Sequence, residues 1–152
     1  MATATPSPLR LIPHLIVRGA PAAIDFYKRA FDAIELSRIP APDGSIAHAV
    51  IQIGDAQLFL ADEGAVGPTR SPASLGAATS SIMLYVADAD AVYARALAAG
   101  AEPLVPLADM IWGDRWGMVR DPFGHVWQIA THVEDVSPAE MERRMRALGG
   151  PA

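Results

Sequence analysis

One arrangement of residues occurs twice along this chain, and that repeat limits the fold more than any other feature. Phe26-Tyr-Lys-Arg-Ala-Phe31 is echoed by Val92-Tyr-Ala-Arg-Ala-Leu97. Each stretch has helical spacing, follows a short apolar run and precedes three more runs with strand character. Around the first, the run Leu9–Val17 reads as a strand, with Ile12, His14 and Ile16 on one side and Leu11, Leu15 and Val17 on the other. Gly19-Ala-Pro21 ends it, and the spacing predicts a helix over 21–32. Strands over 34–39, 46–53 and 56–61 follow, separated by Pro40-Ala-Pro-Asp-Gly44 and Gly54-Asp55. Around the second, a strand over 81–86 leads to Asp88, a helix N-cap, and to a helix that Gly100 stops. Strands over 102–107, 115–120 and 125–131 complete it, the last two joined by Asp121-Pro-Phe-Gly124.

The chain therefore reads as two β-α-β-β-β modules in an α+β fold. The expected divisions are a flexible arm over 1–8, a first module over 9–63, a loop over 64–78 rich in Gly, Pro and Ser, a second module over 79–133, and a tail over 134–152. Ser137-Pro138-Ala-Glu140 has the form of a capping box, so the tail should hold a helix over 138–147. Four strands and one helix cannot bury both faces of a sheet, so each module needs its copy or another chain. A homodimer is the expected assembly.

Composition narrows the function. Apolar residues make up 51% of the 152 positions, enough for a core. The net charge of −5 argues against a nucleic-acid or anionic-membrane partner, which would require a positive surface. The absence of cysteine removes disulfides, thiolate metal sites and thiol nucleophiles, and fits a reducing cytoplasm. The first eight residues lack the basic head and apolar run of a signal peptide, and no run approaches the roughly 18 apolar residues of a membrane span. No phosphate loop, nucleophile elbow, dinucleotide fingerprint or His-Glu-x-x-His is present.

The local words resemble those of the vicinal-oxygen-chelate superfamily, in particular its glyoxalase, bleomycin-resistance and PhnB-like branch. They include Pro13-His-Leu-Ile-Val17, Ala23-Ile-Asp-Phe-Tyr27, Ile53-Gly-Asp55, Trp112-Gly-Asp-Arg115 and Arg120-Asp-Pro-Phe-Gly-His125. The resemblance implies a curved, cup-like sheet with a small-molecule pocket on its inner face. It also places metal-ligand positions near Ile12, Leu58, Ser81 and Gln128, none of which is a histidine or a carboxylate. The usual metal, and with it any cofactor, is therefore expected to be missing. The protein would act by binding a ligand or by metal-free acid–base chemistry, with His14 and His48 as proton-transfer groups. Met83 and Tyr85 share the strand face of Ser81 by parity, and with Ser81 and Gln128 at the positions the resemblance gives, all four should line the pocket. Trp112 and Arg115 are candidate anchors for a flat, partly anionic ligand; the alternative is a structural loop in which Asp114 and Arg115 bond locally and Trp116 joins the core. Trp127 should pack on the other face from Gln128. Asp62 and Glu63 read as edge charge, or as a general base if buried. The competing reading is a metal-dependent lyase, isomerase or dioxygenase whose divalent ion sits on shifted ligands, His14, Gln128 and His132.

Overall fold

A computed structural model describes residues 8–149. The arm expected over 1–8 lies almost wholly outside the described residues. In chain order the elements are β1 (His14–Val17), α1 (Ala20–Phe31), β2 (Ile34–Pro40), β3 (Ile46–Ile53), β4 (Ala56–Asp62), α2 (Pro72–Leu75), β5 (Ser81–Tyr85), α3 (Ala89–Ala99), β6 (Glu102–Asp109), β7 (Asp114–Arg120), β8 (Val126–His132) and α4 (Pro138–Ala147). Two four-stranded sheets result, in the orders β1-β4-β3-β2 and β5-β8-β7-β6. In each, the first strand runs parallel to the last and stands at an edge. The duplicated letters have become a duplicated topology.

Two local expectations are corrected. The first strand begins at His14, not Leu9, and Leu9 and Leu11 are exposed. The 64–78 loop carries a one-turn helix, α2, capped by Ser71. Glu63 fastens it, accepting from the Ser71 and Ser74 hydroxyls and the Ser71 N–H and pairing with Arg70. Those hydrogen bonds, the hydroxyls first, hold the Glu63 carboxyl at about 2, against an ordinary 4.5.

Asp62, expected at an edge, is buried. Helix α1 starts at Gly19, which has no side chain to cap it. The Asp62 carboxylate supplies the cap from β4 instead, accepting from Gly19 N and Ala20 N at 2.8 and 2.9 Å and from Ile46 N at 2.8 Å. In the second module Thr131 stands at the matching place, taking a bond from Ala89 N and donating to Val86 O. Neither carboxylate of the Asp62–Glu63 pair is left as a base.

The helix-covered faces of both sheets share one core. Helices α1 and α3 pack on each other, and Trp127 of β8, fully buried, lies against Tyr27 and Phe31 of α1 with ring centroids 5.3 and 4.7 Å away. Trp127 thus faces away from Gln128, as strand parity requires. Asp121, in the β7–β8 turn, ties this core together. It accepts from Tyr27 Oη at 2.7 Å, Trp127 Nε1 at 2.9 Å and the backbone N–H groups of Phe123 and His125 at 2.9 Å. His125 Nε2 then donates to Ile16 O at 2.9 Å, bridging the turn to β1. Burial, with Asp121 beside it, pushes the Tyr27 hydroxyl well above its ordinary range, so it remains a donor. Among the described residues no helix is long and apolar enough to cross a membrane.

Asp121→Ala would strand four donors, two of them side chains in the core. We expect it to lower the unfolding free energy by about 3 kcal/mol or more, and Tyr27→Phe by about 1–2 kcal/mol. Urea unfolding of both variants checks this; equal small losses would mean that Asp121 is dispensable as a joint.

Candidate functional site

Because the helix-covered faces are spent on the core, the opposite face of each sheet points away from it. These outer faces carry nearly all the polar and aromatic candidates. On the first sheet, His14, Phe59 and Val50 lie in one cross-strand row. His14 stands 5.9 Å from His48 and 6.0 Å from Phe59, and His48 lies 4.7 Å from Phe59, all edge to face. Among the described residues nothing hydrogen-bonds either imidazole, whereas His125 and His132 both have partners. Partial burial, and then the neighbouring His48, lower the His14 pKa below the ordinary 6.5. His14 is therefore neutral at pH 7 and able to take a proton.

On the second sheet, two chains of hydrogen bonds run across the outer face. In the first, Trp116 Nε1 donates to Gln128 Oε1 at 2.9 Å, and Gln128 Nε2 donates to Ser81 Oγ at 2.7 Å. The second centres on Asp114, whose carboxylate is buried. It accepts from Tyr85 Oη at 2.8 Å, Trp112 Nε1 at 3.1 Å and His132 Nδ1 at 2.9 Å. The other His132 nitrogen donates to Asp135 at 2.8 Å. Placed between two carboxylates, the His132 ring donates from both nitrogens when it is protonated. The bonds to Asp114 and then Asp135 raise its pKa. Burial pushes Asp114 up, but the bonds from His132, Tyr85 and Trp112 outweigh it and hold the carboxyl low. The bond to Asp114 keeps the Tyr85 hydroxyl protonated. Met83, Tyr85 and Trp112 remain substantially exposed beside these polar groups, and the Trp112 and Trp116 rings meet edge to face at 5.7 Å.

Arg115 is not part of this face. It follows Asp114 on β7, so parity turns it to the helix side, where Asp90 of α3 takes it in a fork at 2.5 and 2.6 Å and Asp109 adds a third bond at 3.1 Å. With all of these carboxylates on it, it is not placed to anchor a ligand beside Trp112. Trp116, for which the core was an alternative, is half-buried on the outer face. The functional weight of this stretch falls on Asp114, legible beforehand only from its parity with Trp116 and from the pairing of β7 with β8.

The four inferred metal positions do not form a donor set. Leu58 points into the core, Ile12 precedes β1, and Ser81 and Gln128 are bonded to each other. The shifted set fares no better within one chain. His14 and Gln128 belong to different sheets, and His132 has given both nitrogens to carboxylates. Among the described residues no group of three or more His, Cys, Asp or Glu could hold an ion. These residues do not fit the metal that the resemblance implies.

The opposite environments of His14 and His132 give a direct prediction. A histidine NMR titration should place His14 below 6.5 and His132 above it. Bonds to His132⁺ stabilise the fold fully below pH 6.5 and are lost as pH rises through its raised pKa. The burial of neutral His14 acts the other way: it costs nothing above pH 6.5 and destabilises as pH falls through its lowered pKa. Coincident titrations would contradict both arrangements.

Comparison with known proteins adds four findings. Residues 11–129 match the model of the Glyoxalase/Bleomycin resistance protein/Dioxygenase superfamily. An uncharacterized protein of Mycobacterium tuberculosis, Rv0887c, is 44% identical over 142 residues, spanning 91% of this chain and 84% of that one. Among solved structures, TioX from Micromonospora sp. ML1 superposes with a TM-score of 0.66 at 30% identity, over 83% of this chain and 100% of that one. A PhnB protein from Bacillus cereus shares the fold at 20% identity and a TM-score of 0.63, over 81% of this chain and 99% of that one.

Proposed function

Since the chain belongs to the glyoxalase/bleomycin resistance protein/dioxygenase superfamily, we propose that it is a small-molecule-binding protein of that fold, working without the usual metal. Its pocket forms between the His14–His48–Phe59 face of one copy and the Gln128–Trp116–Asp114 face of a second. The observation that carries this reading is the outward direction of both faces. Each is an apolar, aromatic surface with a few fixed polar groups, the make-up of a ligand site, yet each stands open on one side in a single chain. β1 and β5 are edge strands, so each sheet also has an unpaired border beside its half of the pocket. A homodimer that brings the first sheet of one chain to the second sheet of the other would cover the exposed Met83, Tyr85 and Trp112.

The ligand class follows from the walls. Two indoles, a tyrosine and a phenylalanine favour a flat ring system. The Ser81–Gln128–Trp116 chain offers neutral hydrogen-bonding groups for a polar edge, and neutral His14 can accept a proton from a weakly acidic hydroxyl or amine. Whether binding ends there or leads to proton transfer depends on that histidine pair. The protein would then act by sequestration or by acid–base isomerisation.

The test uses complementation. His14→Ala and Gln128→Ala should each weaken binding of a planar aromatic hit from a thermal-shift screen by about tenfold, in keeping with the loss of one anchoring contact. If the two residues meet across the dimer, mixing the variants by partial unfolding and refolding regenerates one intact site in each mixed dimer, so a high-affinity population returns. No recovery would place both residues in a single-chain site. A chain that sediments as a monomer at micromolar concentration would overturn the shared pocket.

A further inference from the structure

We propose that the C-terminal helix is part of the binding machinery and that Arg144 is the positioning residue that holds Trp112 at the rim of the site. This rests on the reading of the second outer face as half of a ligand pocket.

Helix α4 buries none of its residues, so core packing does not explain its fixed place. Its capping by Ser137 and the pairs Arg144–Glu140 and Arg146–Glu142 support it as a helix but do not dock it. Arg144 does dock it. The guanidinium forks onto Glu134 at 2.7 and 3.0 Å and reaches Glu140 at 2.8 Å. Its Nη1 also donates to the carbonyl of Ile111 at 2.9 Å. That carbonyl belongs to the peptide leading directly into Trp112.

The turn so gripped has little freedom elsewhere. Gly113 N closes on Met110 O at 3.0 Å, and Gly113 O accepts from both Val133 N and Glu134 N, at 2.9 and 3.0 Å. Gly113 has φ +97°, and a Cβ built on it would stand 2.0 Å from Glu134 O. The backbone after β8 therefore lies directly against the turn, and only glycine permits that approach. Arg144 closes the arrangement from the other end by joining Glu134 to Ile111. Trp112 leaves this clamped turn with its indole N–H on Asp114 and its ring edge to face with Trp116, whose own N–H holds Gln128. The order of the pocket's aromatic rim thus depends on a guanidinium on a helix that touches no ligand.

The readout is the Trp112–Trp116 pair itself, since two indoles at this distance couple and give an exciton couplet in far-ultraviolet circular dichroism. Trp112→Phe sets the zero of that signal. Arg144→Ala should reduce the couplet to about half or less of the wild-type value while the melting temperature stays nearly unchanged, because no buried apolar surface is lost. Arg144→Lys should fall between, since an ammonium cannot keep the fork and the carbonyl bond together. Arg143→Ala, one residue away and paired with Glu140 alone among the described residues, should leave the couplet intact. In the Arg144→Ala, Trp112→Phe double variant the losses should not add. Should Arg144→Ala fail to fold, Glu134→Gln, which weakens the same fork, should lower the couplet in the same direction. A full couplet in a folded Arg144→Ala protein overturns the inference, as does an equal loss in Arg143→Ala, which would mean a helix-wide effect. Ligand binding is scored separately: an intact couplet with good binding refutes only the clasp, and a weakened couplet with no ligand found refutes only the pocket.

Discussion

Everything on the outer faces follows from one carboxylate in the core. Asp121 gathers the Tyr27 hydroxyl, the Trp127 indole and two backbone donors, so the first module's helix is fixed to the second module's last strand. A buried carboxylate with every donor aimed at it is costly to disturb and specifies one docking geometry. That geometry turns both helix-covered faces inward. The faces that remain are forced outward, and with them the histidine pair of one sheet and the Asp114 and Gln128 networks of the other.

The two faces differ in electrical character. The first offers His14, held below its ordinary pKa by burial and then by His48. The second sets one imidazole, His132, between two carboxylates, Asp114 and Asp135, all tied down by hydrogen bonds. A ligand spanning both would meet a basic nitrogen on one wall and fixed hydrogen-bonding groups on the other.

Side-chain alternation made much of this readable in advance. Parity alone separates Trp127 from Gln128 and groups Ser81, Met83 and Tyr85, and the same rule applied to β7 sends Arg115 to the helix side and Asp114 to the outer one. Arg115 drew attention through its chemistry, and parity along its own strand is what removes it. Other roles had no local signal. Asp62 caps a helix 42 residues earlier in the chain, and Glu63 fastens a loop, because β4 ends where those groups lack partners. Arg144 reads locally as one member of an Arg- and Glu-rich solvated helix, and its bond to Ile111 spans 33 residues.

By itself the sequence determined the repeat, the three longer helices, the strands apart from the start of the first, the caps at Asp88 and Ser137, and the α+β class, because these depend on periodicity and on contacts within a few residues. Tertiary structure alone decided that the halves share a core through Asp121, that the candidate faces look outward, and that Arg144 of the tail reaches the carbonyl of Ile111. Those outcomes depend on which unsatisfied donors and acceptors from distant segments come within about 3 Å of one another, and spacing along a chain carries no record of that.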